Sequence, residues 1–136
     1  MRDTTWLIGL TLATLACARP RVTSQVPVAA TGHALYISNC LMCHGASGRG
    51  DGALADRTPV LPPDLTQISS RNDGHFPFER VRRAIDGREP IAGHAAPGMP
   101  RWGDALLEPL DGYDAAAAKS RVEALTHYLV TLQVEP

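Results

Sequence analysis

Two thiols and an imidazole stand within five residues, Cys40-Leu41-Met42-Cys43-His44. On a helix, positions i, i+3 and i+4 share one face, so Cys40, Cys43 and His44 would project together. Several chemistries use a C-x-x-C pair. A structural zinc site needs a second Cys or His pair at matching spacing, and the chain offers none. A thiol redox motif expects a βαβ setting, which the sequence lacks. A disulfide closing two residues inside a helix would be strained. The adjacent His44 completes C-x-x-C-H, the spacing of covalent haem attachment. In that arrangement each thiol forms a thioether to a haem vinyl group and the histidine faces the iron. Covalent capture fixes a haem without a deep pocket, which suits an exported protein.

A haem held by His44 has one further axial position, and its occupant decides the chemistry. Met99 is the leading candidate. It stands in the Gly/Pro-rich loop Gly93–Gly103, which can fold over the opposite haem face, and Pro100 biases it toward an extended backbone. A thioether ligand raises the reduction potential relative to a harder one. His94, in the same loop, is the rival, and two histidines would lower the potential. Met42 lies inside the motif and cannot cross the ring, and Met1 belongs to the N-terminal apolar segment. His33, His75 and His127 read as surface or helix-packing residues.

The elements that must position these groups are helical. Gly32 to His44 reads as a helix on the near-helical spacing of Leu35, Tyr36, Cys40 and Cys43. Residues 45–66 form a long loop with Pro59, Pro62 and Pro63. Phe76 to Asp86 reads as a second helix, with Pro77 tolerated near its start and Gly87 as a stop. Asp114 to Gln133 is the longest, with Asp111 or Asp114 as cap and a stripe of Val122, Leu125, Leu129 and Leu132. No strand-like alternation or internal repeat stands out. The expectation is an all-α fold of three to four helices with long Gly/Pro loops around one covalent haem. Composition agrees: 136 residues suit one domain, and an aromatic content of 5% is thin for a chain building its own core. A net charge of −1 argues against nucleic acid as a partner.

Residues 1–18 read as an export signal: Arg2 precedes an uncharged apolar run, Trp6 to Ala16, too short for a membrane span. Leu15-Ala16-Cys17 resembles a lipobox, with Thr14 where that motif usually has Leu, and would make Cys17 the lipidated first residue. Ala16-Cys17-Ala18 is the alternative, an ordinary cleavage site that discards Cys17. Residues 19–31, with Pro20 and Pro27, read as a flexible tether, and 32–136 as the folded domain. The expected location is exported and periplasmic, at the membrane surface if Cys17 is lipidated.

At this level the chain resembles class I c-type cytochromes. The likeness rests on Gly32-x-x-x-Tyr36-x-x-x-Cys40-x-x-Cys43-His44-Gly45, on Gly50-Asp51-Gly52, on Pro63-Asp64-Leu65-Thr66, on Ile85-Asp86-Gly87-Arg88, on Gly98-Met99-Pro100-x-Trp102-Gly103 and on a terminal helix ending near Tyr128-Leu129. The Asp86-Gly87-Arg88 and Met99-to-Gly103 blocks are similar to those of membrane-anchored bacterial cytochromes that work with respiratory complexes, such as the monohaem lipoprotein subunit of alternative complex III. The resemblance implies a proline carbonyl as acceptor for the second nitrogen of His44, Pro62 or, preferably, Pro63, and a close crossing of first and last helices at Gly32. Trp102 and Arg101 follow the ligand loop and could bond a haem propionate, as could Arg57. Arg80, Arg82, Arg83 and Arg88 form a basic cluster, read either as a solvated helix face or as a docking face for an acidic partner. The implied function is single-electron transfer between respiratory redox partners, with no substrate chemistry. The alternative is a haem enzyme or gas-sensing subunit with a displaceable sixth ligand, for which His94 is the one candidate acid/base.

Overall fold

The computed structural model describes residues 27–88, 98–106 and 115–134. Among them are five α-helices and three 3₁₀ turns, and no strand. The helices are α1 (Val28–Asn39), α2 (Leu41–His44), α3 (Phe78–Asp86), α4 (Trp102–Ala105) and α5 (Ala115–Thr131), and the turns are Ala55–Arg57, Leu65–Gln67 and Ser70–Asn72. None of these helices is long and apolar enough to cross a membrane. The expected all-α architecture is what the chain adopts.

The helix boundaries follow from local chemistry. The first helix starts at Val28 rather than Gly32, so residues 28–31 belong to α1 and not to a tether. Pro27, with φ −53°, is preset for a helix start, and its missing N–H would have had no partner there. The run to His44 is also not one helix. Cys40, at φ −114°, interrupts it, although its N–H still reaches the Tyr36 carbonyl at 2.8 Å. Helix α3 begins at Phe78 and not Phe76, since a residue before proline is held out of the helical region. It ends at Gly87, whose φ of 69° is a left-handed stop. Helix α5 ends at Thr131, and its expected caps, Asp111 and Asp114, lie outside the described residues.

Helix α5 is the axis of the fold, packing chiefly on α1 and also on α3 and α4. Its buried stripe, Val122, Leu125 and Leu129, meets Tyr36 from α1, Ile85 from α3 and Leu106 just after α4. A β-carbon at Gly32 would fall on the Ala124 carbonyl oxygen and 2.8 Å from Tyr128 Cβ. The two helices can approach this closely because Gly32 carries no side chain. The fully buried core is small, and a ring of half-buried apolar groups surrounds it, including Leu35, Leu41, Leu65, Phe76, Met99 and Trp102.

Candidate haem-attachment site

The motif lies on α2, a single turn. Cys40 precedes it, and the Cys43 and His44 N–H groups donate to the Cys40 carbonyl at 3.1 and 2.9 Å. Those bonds hold the turn that carries Cys40, Cys43 and His44. Both thiols are free and half-buried. Burial and the neighbouring Cys43 push the Cys40 thiol up to about 12, so at neutral pH it is a protonated thiol. Burial also lowers the pKa of His44, the larger influence on it. The fold thereby favours the neutral imidazole, the form that ligates a metal.

The other side of His44 is equally specific. Its Nδ1 is buried and has no partner of full hydrogen-bond geometry. The Pro63 backbone lies close enough to raise the imidazole pKa, and because proline has no N–H the group concerned is its carbonyl. The approach falls short of a formed bond, and a backbone carbonyl is the kind of acceptor that a ligating histidine uses. Of the two prolines offered by the sequence, Pro63 is the one whose backbone lies beside the imidazole.

Pro63 is placed by its loop. Gly50 stands against it: a β-carbon there would fall on the Pro62 carbonyl and 3.3 Å from the Pro63 carbonyl carbon. The Leu65 N–H donates to the Gly48 carbonyl at 2.7 Å, and the Gly50 N–H donates to the His44 carbonyl at 2.8 Å. The strip 45–52 thus joins the motif to the strip 62–66. Asp64 tightens the second strip by accepting from the Thr66 N–H at 2.8 Å and the Thr66 hydroxyl at 2.7 Å. Tyr36 braces the first, its buried hydroxyl donating to the Gly45 carbonyl at 2.7 Å.

Met99 is half-buried and packs, like Cys40 and Trp102, against the central apolar cluster. Arg101 is open to solvent and ion-paired with Asp104 at 2.7 Å, and Arg57 is exposed on its 3₁₀ turn. In the basic cluster, Arg82 pairs with Glu79 at 2.9 Å and Arg88 with Asp86 at 2.6 Å. His94, Cys17 and the whole segment 1–18 lie outside the described residues.

Three contacts escaped the sequence reading. The Tyr36 hydroxyl bond is one. Gln133 is another, its amide nitrogen donating to the Leu65 and Leu129 carbonyls, both at 2.8 Å, and its oxygen accepting from the Ser69 N–H at 2.9 Å. Arg121 is the third, donating to the Leu106 carbonyl at 2.6 Å. A polar residue past the end of an apolar stripe gives no local sign of such a long-range clamp.

A large apolar cofactor fits these residues. Two free thiols and an imidazole whose pKa is lowered by burial stand on one turn, the Pro63 backbone lies beside that imidazole, and half-buried apolar side chains flank the small core. No curated protein and no solved structure matches the chain. The family model of cytochrome c matches residues 29–133, a stretch that contains the motif, the proline strip, Met99 and all of α5. This chain therefore belongs to the cytochrome c family, whose members carry covalently attached haem c and serve as electron carriers.

Proposed function

We propose that the chain is an exported monohaem class I cytochrome c that passes single electrons between respiratory redox partners, and is not itself an enzyme. The observation that carries this reading is the α2 turn, with Cys40 and Cys43 free, the His44 Nδ1 buried without a formed hydrogen bond, and the Pro63 backbone close to the imidazole. Cys40 and Cys43 would hold the haem as thioethers, and His44 and Met99 would be its axial ligands. Bound there, the haem supplies a one-electron couple. The chain's own residues set its potential through the Met99 sulfur, the His44–Pro63 contact and burial. Trp102 can offer its indole N–H to a propionate, whereas Arg101 does so by sharing its guanidinium with Asp104. Cys17 would carry acyl chains that keep the domain at the membrane surface. Several chains are needed for firm anchoring, since one gives only marginal binding.

The test is the optical spectrum of the haem-loaded protein, ferric and reduced, with and without carbon monoxide. The expected result is the weak far-red band of sulfur-ligated ferric haem, lost in Met99→Ala, and no response of the unaltered protein to carbon monoxide. A missing band with ready carbon monoxide binding would refute Met99 ligation and favour a displaceable sixth ligand. A missing band without carbon monoxide binding would point to a second histidine. For the anchor, Cys17→Ala should move the protein from the detergent to the aqueous phase on partitioning.

A further inference from the structure

A second feature lies away from the motif. Between α3 and α5 is an open hollow of about 290 Å³ lined by Arg82, Arg83, Asp86, Arg88 and Lys119. We propose that this hollow is a binding site for a phosphate-class oxyanion, a diphosphate or the phosphate of a lipid headgroup.

The charges carry the argument. Four cations converge on one carboxylate, in a chain with 13 Lys and Arg against 14 Asp and Glu. General basicity does not explain such a concentration. Asp86 is already engaged by Arg88, Nε to Oδ1 at 2.6 Å and the terminal nitrogen to Oδ2 at 2.7 Å. That fork leaves the carboxylate little reach toward the other cations. Arg82 pairs with Glu79, whose side chain is 71% exposed against 23% for Arg82, and a carboxylate so exposed is readily exchanged. Arg83 and Lys119 make no ion pair or side-chain hydrogen bond among the described residues. Like charges held together by two helices repel one another, and an anion between them removes the repulsion. Guanidinium forks match phosphate oxygens in geometry.

The site also touches the segment that bears Met99. A β-carbon at Gly103 would fall on Asp86 Oδ1 and 2.7 Å from Arg88 Nε, and one at Gly87 would sit 3.1 Å from Arg101 Cα. The run 101–103 therefore rests on the Asp86–Arg88 pair. An anion that draws on Arg88 would be felt at the ligand loop, a consequence that rests on the proposed role of Met99, whereas the binding does not.

The experiment is calorimetric titration of the haem-loaded full chain with inorganic pyrophosphate at constant ionic strength. The expected result is saturable one-to-one binding. It should weaken about threefold for each charge removed in Arg83→Gln and Lys119→Gln, recover in the charge-keeping Arg83→Lys with Lys119→Arg, and stay unchanged in Arg49→Gln. Unfolding curves of each variant check that it is folded. Two further arms identify the source, using Cys17→Ala to remove any acyl anchor. Vesicles of phosphatidylglycerol that bind, lose affinity in the double Gln variant and are displaced by pyrophosphate assign a headgroup. Pyrophosphate binding without binding to those vesicles, or to phosphatidylcholine, assigns a soluble phosphate. Heats no larger than those of chloride at equal ionic strength, or a double Gln variant that binds like the parent, would overturn the proposal. Neither readout involves electron transfer, so a failure here leaves the carrier reading standing, and loss of the far-red band leaves the oxyanion site standing.

Discussion

Replacing Tyr36 by Phe removes one oxygen from the largest fully buried side chain among the described residues. Tyr36 has no exposed surface, and its hydroxyl donates to the Gly45 carbonyl at 2.7 Å. Phe keeps the ring, so it opens no cavity of consequence and the cost is almost purely that of the hydrogen bond. Leaving a buried acceptor unpaired costs about 1–3 kcal/mol. The Gly45 carbonyl retains a longer bond from the Gly48 N–H at 3.3 Å, so the loss falls in the lower half of that range, about 1–2 kcal/mol. For a domain of this size each kcal/mol lowers the melting temperature by about 4–8 °C. Denaturant unfolding of haem-loaded Tyr36→Phe against the parent measures it. Tyr128→Phe is the control, since the Tyr128 hydroxyl has no hydrogen bond among the described residues, and it should change stability by less than about 0.5 kcal/mol. A pH series adds a second criterion. Burial raises the Tyr36 pKa above its ordinary value near 10, so the stabilisation is complete below about pH 10 and is lost as pH rises beyond it. Tyr36→Phe should lack that part of the alkaline decline. If it matches the parent within about 0.5 kcal/mol at neutral pH, or keeps the full alkaline decline, the brace between α1 and the motif strip is not a stabilising contact.

Gly32→Val should cost about 3 kcal/mol in chemical denaturation, the upper end of overpacking penalties, because its β-carbon falls on the Ala124 backbone and not on a movable side chain. Gln133→Ala removes three hydrogen bonds, two that tie the end of α5 to Leu65 and Ser69 and one that closes on Leu129 of α5 itself; it should cost about 1–3 kcal/mol and raise hydrogen exchange at Ser69. Asp86→Asn should lose about 1 kcal/mol or less at neutral pH, since Arg88 is open to solvent. The Arg88 hydrogen bond lowers the Asp86 pKa, so its stabilisation is present above about pH 4 and is lost as pH falls through the depressed value. Acid titration of unfolding should accordingly show a shallower decline in Asp86→Asn.

The parts of the molecule legible in its sequence are those whose chemistry is local. C-x-x-C-H is readable because covalent attachment fixes the spacing of three side chains within little more than one turn. Gly87 is readable as a stop because a left-handed residue after a helix favours glycine. The stripe of α5 is readable because burial repeats with the helical period. Where the reading failed, two local signals competed or the partner was distant. Pro27 was assigned to a tether because prolines are common there, yet proline at a helix start is equally favourable, and packing of Gly32 on Ala124 draws the first turn into the fold. A helix start at Phe76 treats Pro77 as tolerated in the first turn, whereas the residue before a proline is held out of the helical region and α3 begins at Phe78. The clamps of Gln133 and Arg121 reach carbonyls 68 and 15 residues away in sequence, and periodicity carries no information at that range.

The long-range contacts explain how a chain with so much loop holds a defined site. Residues 45–52 and 62–66 have little helix of their own, and their geometry is set by bonds to other segments. Tyr36 of α1 holds Gly45, and Gln133, beyond α5, holds Leu65 and Ser69. The Val134 N–H adds a bond to the Thr66 carbonyl at 3.1 Å. Both strips are therefore referenced to the α1–α5 crossing, and His44 and Pro63 sit one on each side of the seam where they meet. Their mutual placement thus depends on the helix pair as well as on the bonds between the two strips. Positive φ at Gly45, Gly48 and Gly50 allows the first strip to fold tightly against the second. Were His44 to ligate a haem iron as proposed, a neighbouring carbonyl fixed this way would leave it little freedom to reorient when the charge on the iron changes, which is what one-electron exchange at small cost in reorganisation requires.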